Sequence, residues 1–102
     1  MSDALNSVKL ALSNKFKDQI LKFLLIGSRA ANNQKDNSDF DIVIITDNSV
    51  DSYDFVKDII PFIEVVSLEF RVMIGVYPIK EINLNNSGSQ FIHNVVSKGV
   101  EF

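Results

Sequence analysis

The 102-residue sequence has no cysteine, no tryptophan and a single histidine, His93. Without thiols it can form no disulfide framework, zinc ribbon or thiol nucleophile, and it suits a reducing compartment, so a cytoplasmic location is expected. Four glycines and two prolines exclude collagen-like or low-complexity chains. Neither sign of charge dominates: ten Lys and Arg against thirteen Asp and Glu give a formal net charge of -3. The basic residues are scattered rather than gathered into a stripe, which argues against dedicated binding of duplex nucleic acid. Long apolar runs are missing as well. Phe23 to Ile26 and Ile42 to Ile45 fall far short of the roughly 20 residues that cross a bilayer, so no membrane association is expected. Asp3, Asn6, Ser7 and Lys9 interrupt any secretory leader at the start.

What is present is an ordinary globular composition, 46% hydrophobic and 23% charged. The length supports one core and not two, so residues 1–102 are expected to form a single domain.

Leu5, Val8, Leu12, Phe16 and Ile20 recur at helical spacing, with Ser2 or Asp3 as the cap and Lys9, Lys15 and Lys17 facing water. Phe23 to Ile26 then reads as a strand buried on both faces and stopped by Gly27. A polar segment from Ser28 to Asn37 precedes a second apolar strand, Ile42 to Ile45, beginning near Asp39. A connection this short suits antiparallel neighbours. Asp51 caps a second helix with Phe55, Val56, Ile59, Ile60 and Ile63 on one face, which Pro61 should kink or end. Glu69 to Tyr77 alternates as a strand, with Phe70, Val72, Ile74 and Val76 on one side and Glu69, Arg71, Met73 and Gly75 on the other, ended by Pro78. Phe91, Ile92, Val95 and Val96 form a last helix, begun at Ser87 or Ser89 and closed by Gly99. The expected fold is α+β, a small mixed sheet packed by helices.

Chemistry concentrates in two places. Leu25-Ile26-Gly27-Ser28-Arg29-Ala30 ends the first strand, and Ser38-Asp39-Phe40-Asp41 opens the second. Asp39 and Asp41 alternate around Phe40, so on a strand their carboxylates leave the same face about 7 Å apart along the chain. Two carboxylates without histidine or cysteine are hard oxygen ligands, which favours Mg2+ or Mn2+ completed by water and substrate phosphates. Gly27 lets the backbone approach a phosphate, and Ser28 offers a hydroxyl and an amide to it. A Gly-Ser strand end is common alone, and an Asp-x-Asp pair is usually solvated alone. Acids at the mouths of apolar strands, however, carry a desolvation cost that a functional site explains.

Gly27-Ser28-Arg29-Ala30 and Ser38-Asp39-Phe40-Asp41 resemble the signature of the minimal nucleotidyltransferase family, within the DNA polymerase beta-like superfamily. The resemblance implies that fold, and a magnesium-dependent transfer of a nucleoside monophosphate from a nucleoside triphosphate to an acceptor hydroxyl. Asp39 and Asp41 would hold the metal, and Gly27, Ser28, Arg29 and Ser38 would bind the nucleotide. It further suggests an antitoxin paired with a small helical toxin-like protein, with a homodimer as a further expectation.

Two departures stand out. Asn32 occupies a position where the family has glycine, a mild change because Asn tolerates a left-handed backbone. The third carboxylate should point toward the aspartate pair from the strand after the second helix, where Arg71 or Met73 falls. Glu69, on the same face two residues earlier, is the candidate to complete the catalytic set. Lys35 and His93 are assigned no role. The competing expectation is a non-catalytic interaction module that keeps the fold and a vestigial nucleotide site. A ferredoxin-like regulatory domain would leave the paired aspartates beside Gly-Ser without a purpose.

Overall fold

The computed structural model describes residues 3–27, 40–86 and 88–102. In chain order the elements are α1 (Asp3–Phe16), β1 (Ile20–Ile26), β2 (Phe40–Thr46), α2 (Ser52–Phe70), β3 (Ile74–Lys80), α3 (Asn83–Asn86), α4 (Gln90–Lys98) and β4 (Val100–Glu101). The strands form one sheet in the order β3-β2-β1-β4. β1 runs antiparallel to both β2 and β4, whereas β3 runs parallel to β2, so the sheet is mixed.

Alternation along β2 divides the core in two. Phe40, Ile42 and Ile44 face α1 and α2, where they meet Leu5, Val8, Leu12, Phe55, Ile59 and Ile63. Val43 and Ile45 face the other way and pack with Ile79 and Val95, the latter on α4. Phe16 joins the first layer through edge-on contacts with Phe55 and Phe62, at centroid distances of 5.9 and 5.8 Å. Each fully buried side chain of this size contributes about 1.5–3 kcal/mol. The apolar stripe of α1, Leu5, Val8, Leu12 and Phe16, is buried as its spacing required, but the helix ends there and Ile20 begins β1.

Three local expectations need correction. Pro61 does not end α2, which continues to Phe70. A proline inside a helix costs about 3 kcal/mol, but Phe55, Ile59, Ile63 and Val66 are buried on both sides of it. Stopping at Pro61 would forfeit the burial of Ile63 and Val66. The strand expected over Glu69 to Tyr77 begins only at Ile74 and runs through Pro78 to Lys80. Glu69 and Phe70 belong instead to the last turn of α2, which closes on Arg71 at φ 54, its N–H donating to Ser67 O. Pro78 is tolerated because β3 lies at the sheet edge, where an absent N–H need not break the ladder. Finally, α3 and β4 were not expected. β4 is a two-residue strand, and Phe102 extends it by donating its N–H to Phe23 O and packing its ring 5.6 Å from that of Phe23.

The caps formed as their chemistry dictates. Asp51 accepts from Asp54 N at the start of α2, and Ser89 accepts from Ile92 N at the start of α4. Gly99 follows α4 and donates its N–H to Val95 O.

Candidate functional site

The site is built at one end of the sheet, where the C-terminus of β1 meets the N-termini of β2 and β3. Antiparallel pairing sets Ile26 opposite Asp41, and parallel pairing sets Gly75 opposite Asp41. Asp41 therefore lies on the middle strand of the three, flanked by Gly27 after β1 and by Gly75 on β3. Its side chain leaves the sheet on the face of Val43 and Ile45, away from α1 and α2.

A Cβ at either flanking position would crowd the carboxylate. A Cβ on Gly27 would stand 3.2 Å from Asp41 Oδ2, and one on Gly75 would stand 3.0 Å from Asp41 Oδ1. Gly27 also has φ +80, a left-handed conformation that β-carbon sterics disfavour. The two missing methyls leave the carboxylate in an open cradle. Asp41 is half-buried, and among the described residues it has no hydrogen-bond or ion-pair partner. Half-burial weakens a carboxylate's hydration, and no group among the described residues replaces what is lost. The single ion pair among the described residues, Lys22 with Glu101 at 3.8 Å, is exposed on both sides and contributes little.

Of the residues singled out in the sequence, the structure brings Gly27 and Asp41 together. Ser28, Arg29, Ser38 and Asp39, together with Asn32 and Lys35, lie outside the described residues. Glu69 is not on the strand beside Asp41. It is exposed on α2, which covers the opposite face of the sheet. The strand neighbours that share Asp41's face on β3 are Gly75, Tyr77 and Ile79, and none is an acid. Among the described residues no group of three or more Asp, Glu, His or Cys could hold a metal ion. His93 is exposed on α4.

Sequence reasoning missed Gly75 and Tyr77 as neighbours of Asp41. The alternation placed Gly75 on the correct side of its strand, but only the register between β2 and β3 sets it against the carboxylate. Tyr77 lies back over Gly75, its hydroxyl 3.3 Å from where that Cβ would be.

The arrangement of elements recurs in known proteins. A toxin-antitoxin protein crystallised with AMP-PNP superposes with a TM-score of 0.67 at 16% identity, covering 98% of this chain and 72% of that one. A nucleotidyltransferase candidate from Sulfolobus solfataricus superposes with a TM-score of 0.55 at 18% identity, covering 97% of this chain and 81% of that one. At such identities the likeness establishes the fold. No curated protein matches the chain in sequence. No helix among the described residues is long and apolar enough to cross a membrane. The family described as "Polymerase beta, Nucleotidyltransferase" matches residues 6–102, nearly the whole sequence, and the chain belongs to that family.

Proposed function

We propose that this protein is a magnesium-dependent nucleotidyltransferase that moves a nucleoside monophosphate from a nucleoside triphosphate to an acceptor hydroxyl. The observation that carries the reading is the half-buried Asp41 carboxylate, without a partner among the described residues and held open between Gly27 and Gly75 at the end of β2. A ligand set made only of oxygen suits Mg2+ or Mn2+. Asp39 and Asp41 would hold the ion, with Gly27, Ser28, Arg29 and Ser38 around the triphosphate. When bound, the metal supplies neutralising charge for the phosphates and a template for in-line displacement. The chain's own task is positioning. Asp41 is fixed by β2, and Gly27 turns the backbone at the tip of β1 so that it can approach phosphate oxygens closely.

Glu69 is left out of the metal set, because the strand position that recommended it is occupied otherwise. Glu69→Gln should keep activity within about twofold of the parent, whereas loss of a direct metal ligand should cost a hundredfold or more, on the order of the effect of a transition-state charge stabiliser.

A small helical toxin-like partner fits the acceptor role, with the chain acting as its antitoxin in the cytoplasm. One of the fold neighbours is a toxin-antitoxin protein with a bound triphosphate analogue, which supports this direction. A homodimer is an additional arrangement to test.

A second reading is favoured by one observation: β3 offers Gly75, Tyr77 and Ile79 to Asp41 and no third carboxylate. On that reading the chain is an interaction module that binds nucleotide without transferring it. Purified protein, Mg2+ and a labelled triphosphate separate the two, with candidate partner proteins added. Pyrophosphate release abolished by both Asp39→Asn and Asp41→Asn supports transfer, and nucleotide binding without turnover in any mixture supports the module.

A further inference from the structure

The two edges of the sheet are not alike. On one side β4 is two residues long, and its Glu101 pairs with Lys22 at 3.8 Å. Short length and charge are what keep a sheet edge from pairing with another chain. On the other side β3 runs for seven residues, Ile74–Lys80, and its only charged residue is Lys80 at the far end.

The direction of each backbone group on β3 follows from its bonds to β2. Phe40 donates its N–H to Met73 O at one end, and Glu81 donates its N–H to Thr46 O at the other. Alternate residues make such bonds in a parallel ladder, so Gly75, Tyr77 and Ile79 turn their backbone groups to β2, while Ile74, Val76, Pro78 and Lys80 turn theirs to the open edge. Pro78 has no N–H to offer there. With Lys80 it guards the C-terminal half of the edge. The N-terminal half presents the N–H and C=O of Ile74 and Val76, which have no backbone partner among the described residues. Apolar surface adjoins that half. Leu68 is 81% exposed and Met73 67%, and with Ile60, Ile63 and Ile74 they line an open groove of about 370 Å³.

We propose that this edge joins a second copy of the chain, β3 against β3, in antiparallel register about a two-fold axis at Gly75. Ile74 and Val76 stand one residue to either side of that axis, so Ile74 of each copy exchanges both its N–H and its C=O with the partner's Val76. No bond is asked of Pro78. The same register sets Met73 opposite the partner's Tyr77, which brings two exposed apolar residues together, and leaves one Leu68 groove at each end of the seam. A second copy is the occupant the edge fits, because the same two residues supply every donor and every acceptor. A helix docked here would leave those groups unpaired, its own backbone bonds being internal. In the joined sheet the two Asp41 carboxylates leave one face about 14 Å apart, three strand spacings, with Gly75 of each copy between them. The pairing does not depend on what those carboxylates bind.

Sedimentation equilibrium and amide hydrogen exchange test this on the whole chain without ligand. Between about 1 µM and about 1 mM the chain should pass from monomer to dimer. Over the same range the Ile74 and Val76 amides should slow in exchange by about tenfold or more. The Glu101 amide is the internal reference: Phe102 donates its N–H to Phe23 O, so Glu101 turns its own away from β1, and its exchange should stay fast throughout. Leu68→Lys and Met73→Lys, both at exposed positions, should weaken the dimer about tenfold with thermal unfolding of the monomer unchanged. Val96→Lys, 58% exposed on α4, should leave the dimer intact. A monomer at every concentration overturns the proposal. So does a dimer in which the Ile74 and Val76 amides exchange as fast as that of Glu101, or one that Val96→Lys weakens as much as Leu68→Lys does.

Discussion

Gly75 stands directly across from Asp41 in the parallel β2–β3 register, and its missing Cβ is what the carboxylate occupies space against, at 3.0 Å from Oδ1. Gly75→Ala should displace the carboxylate or the Tyr77 hydroxyl by a few tenths of an ångström, since neither is backbone. The fold should survive, because β3 gains a residue with lower backbone entropy in the unfolded chain. Thermal unfolding within about 1 kcal/mol of the parent, combined with weaker binding of the Mg2+ triphosphate, is the expected result.

Gly27 is bound by a second constraint. Its φ of +80 makes any side chain strained before contact with Asp41 Oδ2 is considered. Gly27→Ala should therefore lose about 1–2 kcal/mol of stability in addition to nucleotide affinity. Denaturant titration beside nucleotide binding separates the two losses, and only the second should be shared with Gly75→Ala.

Helix α2 carries two stability defects remote from the site. Pro61→Ala should restore an N–H to the helix interior and stabilise by about 1–3 kcal/mol. Arg71→Gly should relieve the left-handed closing residue, φ 54, by about 1 kcal/mol. The two lie far enough apart along the helix for their effects to add, and chemical denaturation of both single variants and the double variant checks this.

The turn after β2 responds to pH. Ser49 donates to Asp47 Oδ1 from its hydroxyl at 2.6 Å and from its amide at 2.9 Å. The hydroxyl bond first, then the amide bond, hold the Asp47 carboxyl below the ordinary aspartate value. A lowered carboxyl pKa in the fold contributes stability above the ordinary value and loses it as pH falls through the lowered one. Ser49→Ala should move the Asp47 midpoint upward, measured by NMR titration of its carboxyl carbon. An unchanged midpoint would show that the hydroxyl is not the main cause.

Much of the architecture was legible from apolar spacing alone. The buried stripe of α1, the two short apolar strands, and the Asp51, Ser89 and Gly99 caps are local signals, and local signals survive folding. The misreadings were tertiary. α2 outlasts Pro61 because Ile63 and Val66 are buried beyond it. Its true end has no glycine to announce it, so Glu69 looked like a strand residue. β4 is too short to show a period and exists because Val100 and Glu101 find the edge of β1. At the site, the chemistry of Asp41 and Gly27 was readable from residue type and spacing. The apposition of Gly75 and Tyr77 was not, because a parallel register across a helix leaves no mark on sequence spacing.

The most direct measurement of the central claim uses Mn2+ with a triphosphate as a paramagnetic probe of backbone amides. The account predicts broadening centred on Gly27, Asp41 and Gly75, with Thr46 and Lys80 at the far ends of their strands left sharp, and loss of that pattern in Asp41→Asn. Broadening centred elsewhere, or the same pattern in Asp41→Asn, would contradict it.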